Sequence, residues 1–143
     1  MIDMESRLLP FSTLKIAAAI IVDDEARLLL VRKRGSRYFM QAGGKIDAGE
    51  TPAEALAREV SEELGVTLTN WEAPVEASAK AANEAGCFVD AHLFWATIEG
   101  NVAAAAEIEE ICWVTLEQAR DLPLAALTRD AVLPMVEQRL KRA

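Results

Sequence analysis

The residues best placed to do chemistry together are Glu59, Glu62 and Glu63, which stand three and four positions apart in a run whose apolar residues recur at helical spacing. At about 100° per residue, with Glu59 at zero, Glu62 and Glu63 fall at about −60° and +40°, so one helical face carries all three carboxylates. Leu56, Ala53, Val60, Leu64 and Ala57 fall at about +60° to +160°, the face expected in the core. The carboxylates therefore border the buried stripe. Glu59 and Glu63 repel each other as an i, i+4 pair, and the macrodipole near the helix C-terminus disfavours them further. A hard divalent cation, Mg²⁺ or Mn²⁺, would offset both penalties and takes oxygen ligands of this kind. A solvated acidic face explains the helix by itself equally well, so its surroundings must decide.

Upstream, Gly43-Gly44 lets the backbone approach a ligand closely and offers carbonyl oxygens to the same cation. Glu50 and Arg58 lie at the two ends of a loop-plus-helix unit, placed to form an ion pair that orients the loop without reacting. A local basic excess, Arg32, Lys33, Arg34 and Arg37, ends the preceding apolar run. It reads either as a solvated strand end or as contacts to phosphate or base. Arg32 and Arg34, with Lys45 from the glycine loop, are the candidate substrate contacts.

The elements that must position these residues can be read in order. Leu14 to Val22 and Arg27 to Arg34 read as strands joined by the turn Asp23 to Ala26, a hairpin whose second strand starts buried on both faces. Thr51 is the expected N-cap, Pro52 the N1 residue and Glu54 the capping-box partner of a helix over 52–64 that stops at Gly65. Two extended segments follow, 66–82 and 87–99, with a turn at 83–86. An irregular stretch, 102–110, leads to a short strand over 111–114. The tail reads as helical over 116–121 and 127–141, with Pro134 interrupting or delimiting the last helix.

Composition bounds the possibilities. The chain has 143 residues, 52% apolar and 27% charged, enough to bury a core in one domain spanning 1–143. The longest apolar stretch, Ile16 to Val22, is far too short to span a bilayer, and Asp3, Glu5 and Arg7 stand where a secretory signal would be apolar. A cytoplasmic protein is expected. A net charge of −8 argues against a nucleic-acid partner. Cys87 and Cys112 form no metal-binding or disulfide pattern, and His92 reads as a strand residue. Tyr38, Phe39, Trp71, Phe94 and Trp95 read as base-stacking candidates or as core, and Trp113 as core.

Gly44, five residues, Glu50, seven residues, then Arg58-Glu59-Val60-Ser61-Glu62-Glu63-Leu64-Gly65-Val66 resembles a complete Nudix box. The resemblance implies a Nudix-type α/β/α sandwich around a mixed β-sheet, with the box as a loop–helix–loop. It also implies a hydrolase that cleaves a nucleoside diphosphate linked to another moiety, using Mg²⁺ or Mn²⁺ and water attack on phosphorus. Carried over residue by residue, Glu59, Glu62 and Glu63 would be catalytic metal ligands, Glu59 also a candidate base. A carbonyl of Gly43 or Gly44 would be a further ligand, and Glu50 with Arg58 the structural pair.

Relatives often add a loop carboxylate before the last sheet strand, for which Glu107 is the first choice over Glu109 and Glu110. Ala42 departs from the family, where many relatives have proline. ADP-ribose-type and dinucleoside-polyphosphate-type relatives carry a proline or a tyrosine where this chain has Ala81, Ala82 and Asn83. The spelling Gly43 to Thr51 resembles the branch that clears oxidised nucleoside triphosphates, whose purine-reading Asn is replaced here by Thr128 or Arg129. Partners implied are a small nucleotide or nucleotide-linked diphosphate and a possible homodimer. A noncatalytic nucleotide-sensing module and a diphosphate-ester isomerase are the alternatives.

Overall fold

The computed structural model describes residues 12–83 and 86–142. Its strands are β1 (Ser12–Ile20), β2 (Leu28–Lys33), β3 (Phe39–Met40), β4 (Gly43–Lys45), β5 (Thr67–Trp71), β6 (Val75–Lys80), β7 (Cys87–Glu99) and β8 (Ile108–Val114). The helices are α1 (Pro52–Leu64), α2 (Leu116–Arg120) and α3 (Leu133–Arg142), the last preceded by a π-helical turn, Thr128–Val132.

The expected hairpin between β1 and β2 survives only at its base. Asp23 Oδ1 accepts from the Glu25 and Arg27 N–H groups and closes the turn, and the Leu29 N–H donates to the Ile21 carbonyl at 2.9 Å. Beyond that the strands part, because both edges of β1 are taken. β4 pairs antiparallel on one side, from Ile16↔Lys45 to Ala18↔Gly43, and β7 pairs parallel on the other. β2 instead lies between β3 and β8. The mixed pairing expected from the sequence is present, divided between two sheets.

Over 17–20 and 28–31 the two strands are buried on both faces, as their apolar runs require. Ala17, Ala19, Leu29 and Val31 pack with Leu56, Val60 and Leu64 of α1. Their alternates Ala18, Ile20, Leu28 and Leu30 pack with Val132, Leu133 and Val136 at the other end of the chain. This period-two partition makes the helix–sheet–helix layering.

The extended segment after α1 is two strands. β5 and β6 both run antiparallel to β7, one on each half, and part at Glu72–Pro74, where Pro74 has no N–H to donate. β8 begins earlier than expected, since Ile108 and Glu110 pair with Lys33 and Arg32.

α1 has the boundaries its sequence dictates: Thr51 and Glu54 form the capping box, and Gly65 closes the helix with φ 68° and an N–H to the Ser61 carbonyl. Its buried face differs from the expected one. Ala57 is exposed, while Ala55 and Glu63 are buried with Leu56, Val60 and Leu64. The core arc is rotated so that Glu63 lies inside it. α1 rests there on β4, whose glycines carry no side chains to hold it off.

Pro134 shapes the tail. A proline there cannot donate to the carbonyl four residues back and its ring would collide with it, so the preceding turn widens and the Leu133 N–H bonds to the Thr128 carbonyl. No helix among the described residues is long and apolar enough to cross a membrane.

Candidate active site

α1 and β4 face each other across the carboxylates. Glu63 is 1% exposed, its Oε1 accepts from the Gly43 N–H at 3.0 Å, and its Oε2 is buried with no hydrogen-bond partner. Burial pushes its carboxyl up to about 7, the Gly43 N–H and Lys33 pull it back, and Glu59 and Glu107 push it further. Glu59 is one turn away with its carboxyl against Gly44, where a Cβ would stand 2.6 Å from it. Glycine at 44 is therefore what makes room for that carboxylate. Glu62 lies on the exposed side of the face, 3.7 Å from Arg58 Nη1.

Arg58 ties loop to helix. Its Nε donates to Glu50 Oε2 at 2.8 Å and its Nη2 to Glu50 Oε1 at 2.9 Å and to the Lys45 carbonyl at 3.0 Å. Glu50 Oε1 also accepts from the Asp47 N–H at 2.8 Å. The Arg58 hydrogen bonds, with that of Asp47, hold the Glu50 carboxyl down at about 2. The brace expected between Glu50 and Arg58 is formed, and it reaches further than expected. Arg58 Nη1 also donates to Glu59 Oε1 at 2.6 Å, so the same guanidinium aims one of the site carboxylates.

The three loop glutamates part company. Glu110 pairs with Arg32 at 3.1 Å and Glu109 with Arg34 at 3.8 Å, both on the outer surface of β2 and β8. Glu107 lies 3.8 Å from Lys33 and close enough to Glu63 to raise its pKa, so of the three it is the one that faces the site.

Among the described residues, no three acidic, histidine or cysteine side chains are gathered closely enough, as arranged, to hold a metal ion. One atom nevertheless asks for one. Glu63 Oε2 is a buried oxygen without a hydrogen-bond partner, and the charges that act on the carboxyl are the Lys33 ammonium and the Glu59 and Glu107 carboxylates. Such an all-oxygen donor set fits Mg²⁺ or Mn²⁺ and suits softer metals poorly.

On the other side of Gly43-Gly44 lies a cavity of about 150 Å³. Lys33, Lys45 and Lys80 line it, with Leu14, Val89 and Leu127 among its apolar walls. Gln41, Asn83 and Thr128 supply its uncharged polar lining. Of the basic candidates only Lys45 is here. Arg32 and Arg34 are elsewhere, held by Glu110 and the Ser36 carbonyl and by the Ala106 carbonyl. Lys33, their neighbour of opposite strand parity, is the one that turns inward, and that alternation was the available signal. Lys80 and Gln41 had none beyond polarity within apolar stretches. Ala81, Ala82 and Asn83, notable in the sequence as departures, line the cavity. None of the aromatic candidates does. Phe39 and Phe94 are core, Trp95 stacks under Arg139, and Trp71 is 48% exposed. His92 lies 3.3 Å from Glu76, away from the cavity.

A family model for the NUDIX domain matches residues 13–135. The chain belongs to the NUDIX family. The 8-oxo-dGTP diphosphatase of Haemophilus influenzae is 40% identical over 63 residues, 41% of this chain and 46% of that protein. The chain thus aligns with about half the length of that relative. The CTP pyrophosphohydrolase of Escherichia coli is 29% identical over 127 residues, 87% of this chain and 89% of that one. Among solved structures, the MutT NUDIX hydrolase from Burkholderia pseudomallei superposes with a TM-score of 0.68 at 26% identity, covering 88% of this chain and 97% of that one. The layered architecture is that of NUDIX structures, and Gly44 to Val66 run from the end of β4 through a loop into α1 and its closing turn, the loop–helix–loop of the box starting after Lys45.

Proposed function

We propose that this NUDIX chain is a Mg²⁺- or Mn²⁺-dependent pyrophosphohydrolase acting on a nucleoside triphosphate. The observation that carries this reading is the buried, unpartnered Glu63 Oε2 beside Glu59, one residue pair away from a lysine-lined cavity. The substrate class is supported by two relatives whose names specify CTP and 8-oxo-dGTP.

Glu59, Glu62 and Glu63, with a carbonyl of Gly43 or Gly44, would hold the cation, and Glu107 is the nearest loop carboxylate to join them. When bound, the metal supplies positive charge to the phosphates and lowers the pKa of water. The chain's own residues do the rest. Lys33, Lys45 and Lys80 meet the triphosphate, which an otherwise acidic protein could not attract. Glu59 accepts the proton of the attacking water, its carboxylate held in place by Arg58. Glu50 and Arg58 fix the loop so that the carboxylates and Gly44 keep their spacing. The water oxygen bonds to phosphorus, the bridging phosphorus–oxygen bond breaks, and nucleoside monophosphate and pyrophosphate leave. All three box glutamates are present, which favours turnover over a noncatalytic sensor.

Chromatography of products from a panel of nucleoside triphosphates, nucleotide sugars and dinucleotides tests this. Monophosphate and pyrophosphate from a triphosphate, lost on chelation, are expected. No cleavage across the panel with either metal would overturn the reading.

A further inference from the structure

Gln41 stands at the end of β3, between Met40 and Ala42, and is only 5% exposed. Its Oε1 is occupied, accepting from the Thr128 hydroxyl at 2.8 Å. Its Nε2 is buried without a partner and Gln41 lines the cavity beside Gly43-Gly44. A buried amide N–H left unmet is costly, and in a cavity it is most simply met by a ligand's acceptor. Thr128, fully buried in the π-helical turn, donates to the amide oxygen and leaves the nitrogen without a partner. Asn83, an exposed residue on the same lining, has its Oδ1 accepting from the Ser36 hydroxyl at 2.7 Å.

No Asp or Glu lines this cavity, so its side chains carry amide, hydroxyl and ammonium donors and no carboxylate. Its volume, about 150 Å³, is of the size that takes a single aromatic ring. With the lysines meeting the phosphates, the apolar walls at Leu14, Val89 and Leu127 are left for the base.

We propose that Gln41 is a specificity-determining residue, donating from Nε2 to a ring carbonyl of the base seated in this cavity. The inference rests on the nucleotide reading above and sharpens it to nucleoside triphosphates whose base carries a ring carbonyl, as cytosine and uracil do and adenine does not. A site whose donor is buried rejects a base that lacks the matching acceptor, because the donor then stays unpaired.

The test compares kcat/KM for CTP, UTP and ATP between the wild-type protein and the variants Gln41→Leu and Gln41→Glu, which keep the side chain's approximate size and remove the donor. Binding of the non-cleavable α,β-methylene analogues of the same nucleotides is titrated in parallel, with melting temperature as the check on folding. The wild type should prefer CTP and UTP to ATP. In both variants the pyrimidine-over-ATP ratio should fall about tenfold or more, chiefly through KM, and analogue binding should follow. A ratio that stays at the wild-type value in both folded variants, or a wild type that prefers ATP, overturns the proposal. If triphosphates are cleaved but the ratio does not move, the hydrolase reading stands and this one falls. If the analogues bind with a Gln41-dependent pyrimidine preference and nothing is cleaved, the reverse holds. Absence of both binding and cleavage overturns both.

Discussion

Glu63 and Gly43 meet across the helix–strand interface in a hydrogen bond of 3.0 Å from the glycine N–H to Oε1, while the other carboxylate oxygen is buried and unsatisfied. The contact anchors a box glutamate to the glycine strand and leaves half of its charge exposed only to what binds there. A buried carboxylate so placed destabilises the protein until something neutralises it.

The first prediction follows from that imbalance. Burial raises the Glu63 carboxyl from 4.5 to about 7. Below pH 4.5 folded and unfolded chains both hold the proton and there is no effect. Between pH 4.5 and 7 the folded chain holds a proton that the unfolded chain has released, so stability falls as pH rises, and the penalty is complete above 7. In chelated protein, Glu63→Gln should therefore melt higher than wild type at pH 8, by several degrees, with the difference vanishing towards pH 4.5. Added Mn²⁺ should raise the wild-type melting temperature at pH 8 and leave the variant unmoved. Differential scanning calorimetry over this pH range reads both effects. A variant that melts with wild-type pH dependence and wild-type response to Mn²⁺ would contradict the role of Glu63.

The two adjacent glycines should fail differently. A Cβ at Gly44 meets the flexible carboxyl end of Glu59, whereas one at Gly43 meets the backbone of Ala17 and Ala18 in β1. Gly44→Ala should keep a near-wild-type melting temperature and lose about tenfold or more in turnover as Glu59 is displaced. Gly43→Ala should lower the melting temperature markedly, because β1 and β4 must separate. Thermal melts and rates on the two variants check the contrast, and equal losses of stability would refute it.

Arg58→Ala leaves Glu50 and Glu59 without their shared partner. Removing the shared partner of this solvent-screened network should lower the melting temperature by a few degrees. Turnover should fall as well, since Glu59 loses its aim. The Glu50 carboxyl, held at about 2 by Arg58, stabilises the fold above pH 4.5, and this stabilisation is lost as pH falls towards 2. Acid unfolding of Arg58→Ala should consequently begin at higher pH than in the wild type. Arg58→Lys should recover only part of the loss, because an ammonium cannot span both Glu50 oxygens and the Lys45 carbonyl. Circular dichroism during acid titration of the three proteins is the check; coincident curves would remove the brace from the account.

What the sequence made legible was local chemistry. The ends of α1 followed from Thr51, Pro52, Glu54 and Gly65, and the Glu50–Arg58 pair from spacing within one loop–helix unit. What it hid depended on contacts between distant segments. Ala55 rather than Ala57 faces the core because α1 lies on the bare backbone of Gly43 and Gly44, which helical periodicity alone does not register. β1 and β2 part because β7, far along the chain, occupies the edge a hairpin would need. Lys33 turns inward while Arg32 and Arg34 do not, a difference fixed by strand parity and by the pairing of Glu110 and Glu109 on β8. Gln41 becomes informative only when Thr128, from the other end of the chain, is seen to occupy one end of its amide.

The most direct test of the account is the hydrolysis of CTP at saturating Mg²⁺ by wild-type protein and by Glu62→Gln, whose carboxylate lies on the exposed side of the acidic face where substitution spares the core. The wild type should release CMP and pyrophosphate and stop on addition of chelator. The variant, melting as the wild type does, should lose about a hundredfold or more in kcat, as expected when a ligand of the catalytic cation is removed. Near-wild-type turnover by Glu62→Gln under the same conditions would contradict the assignment of the α1 carboxylates to a metal-dependent hydrolase.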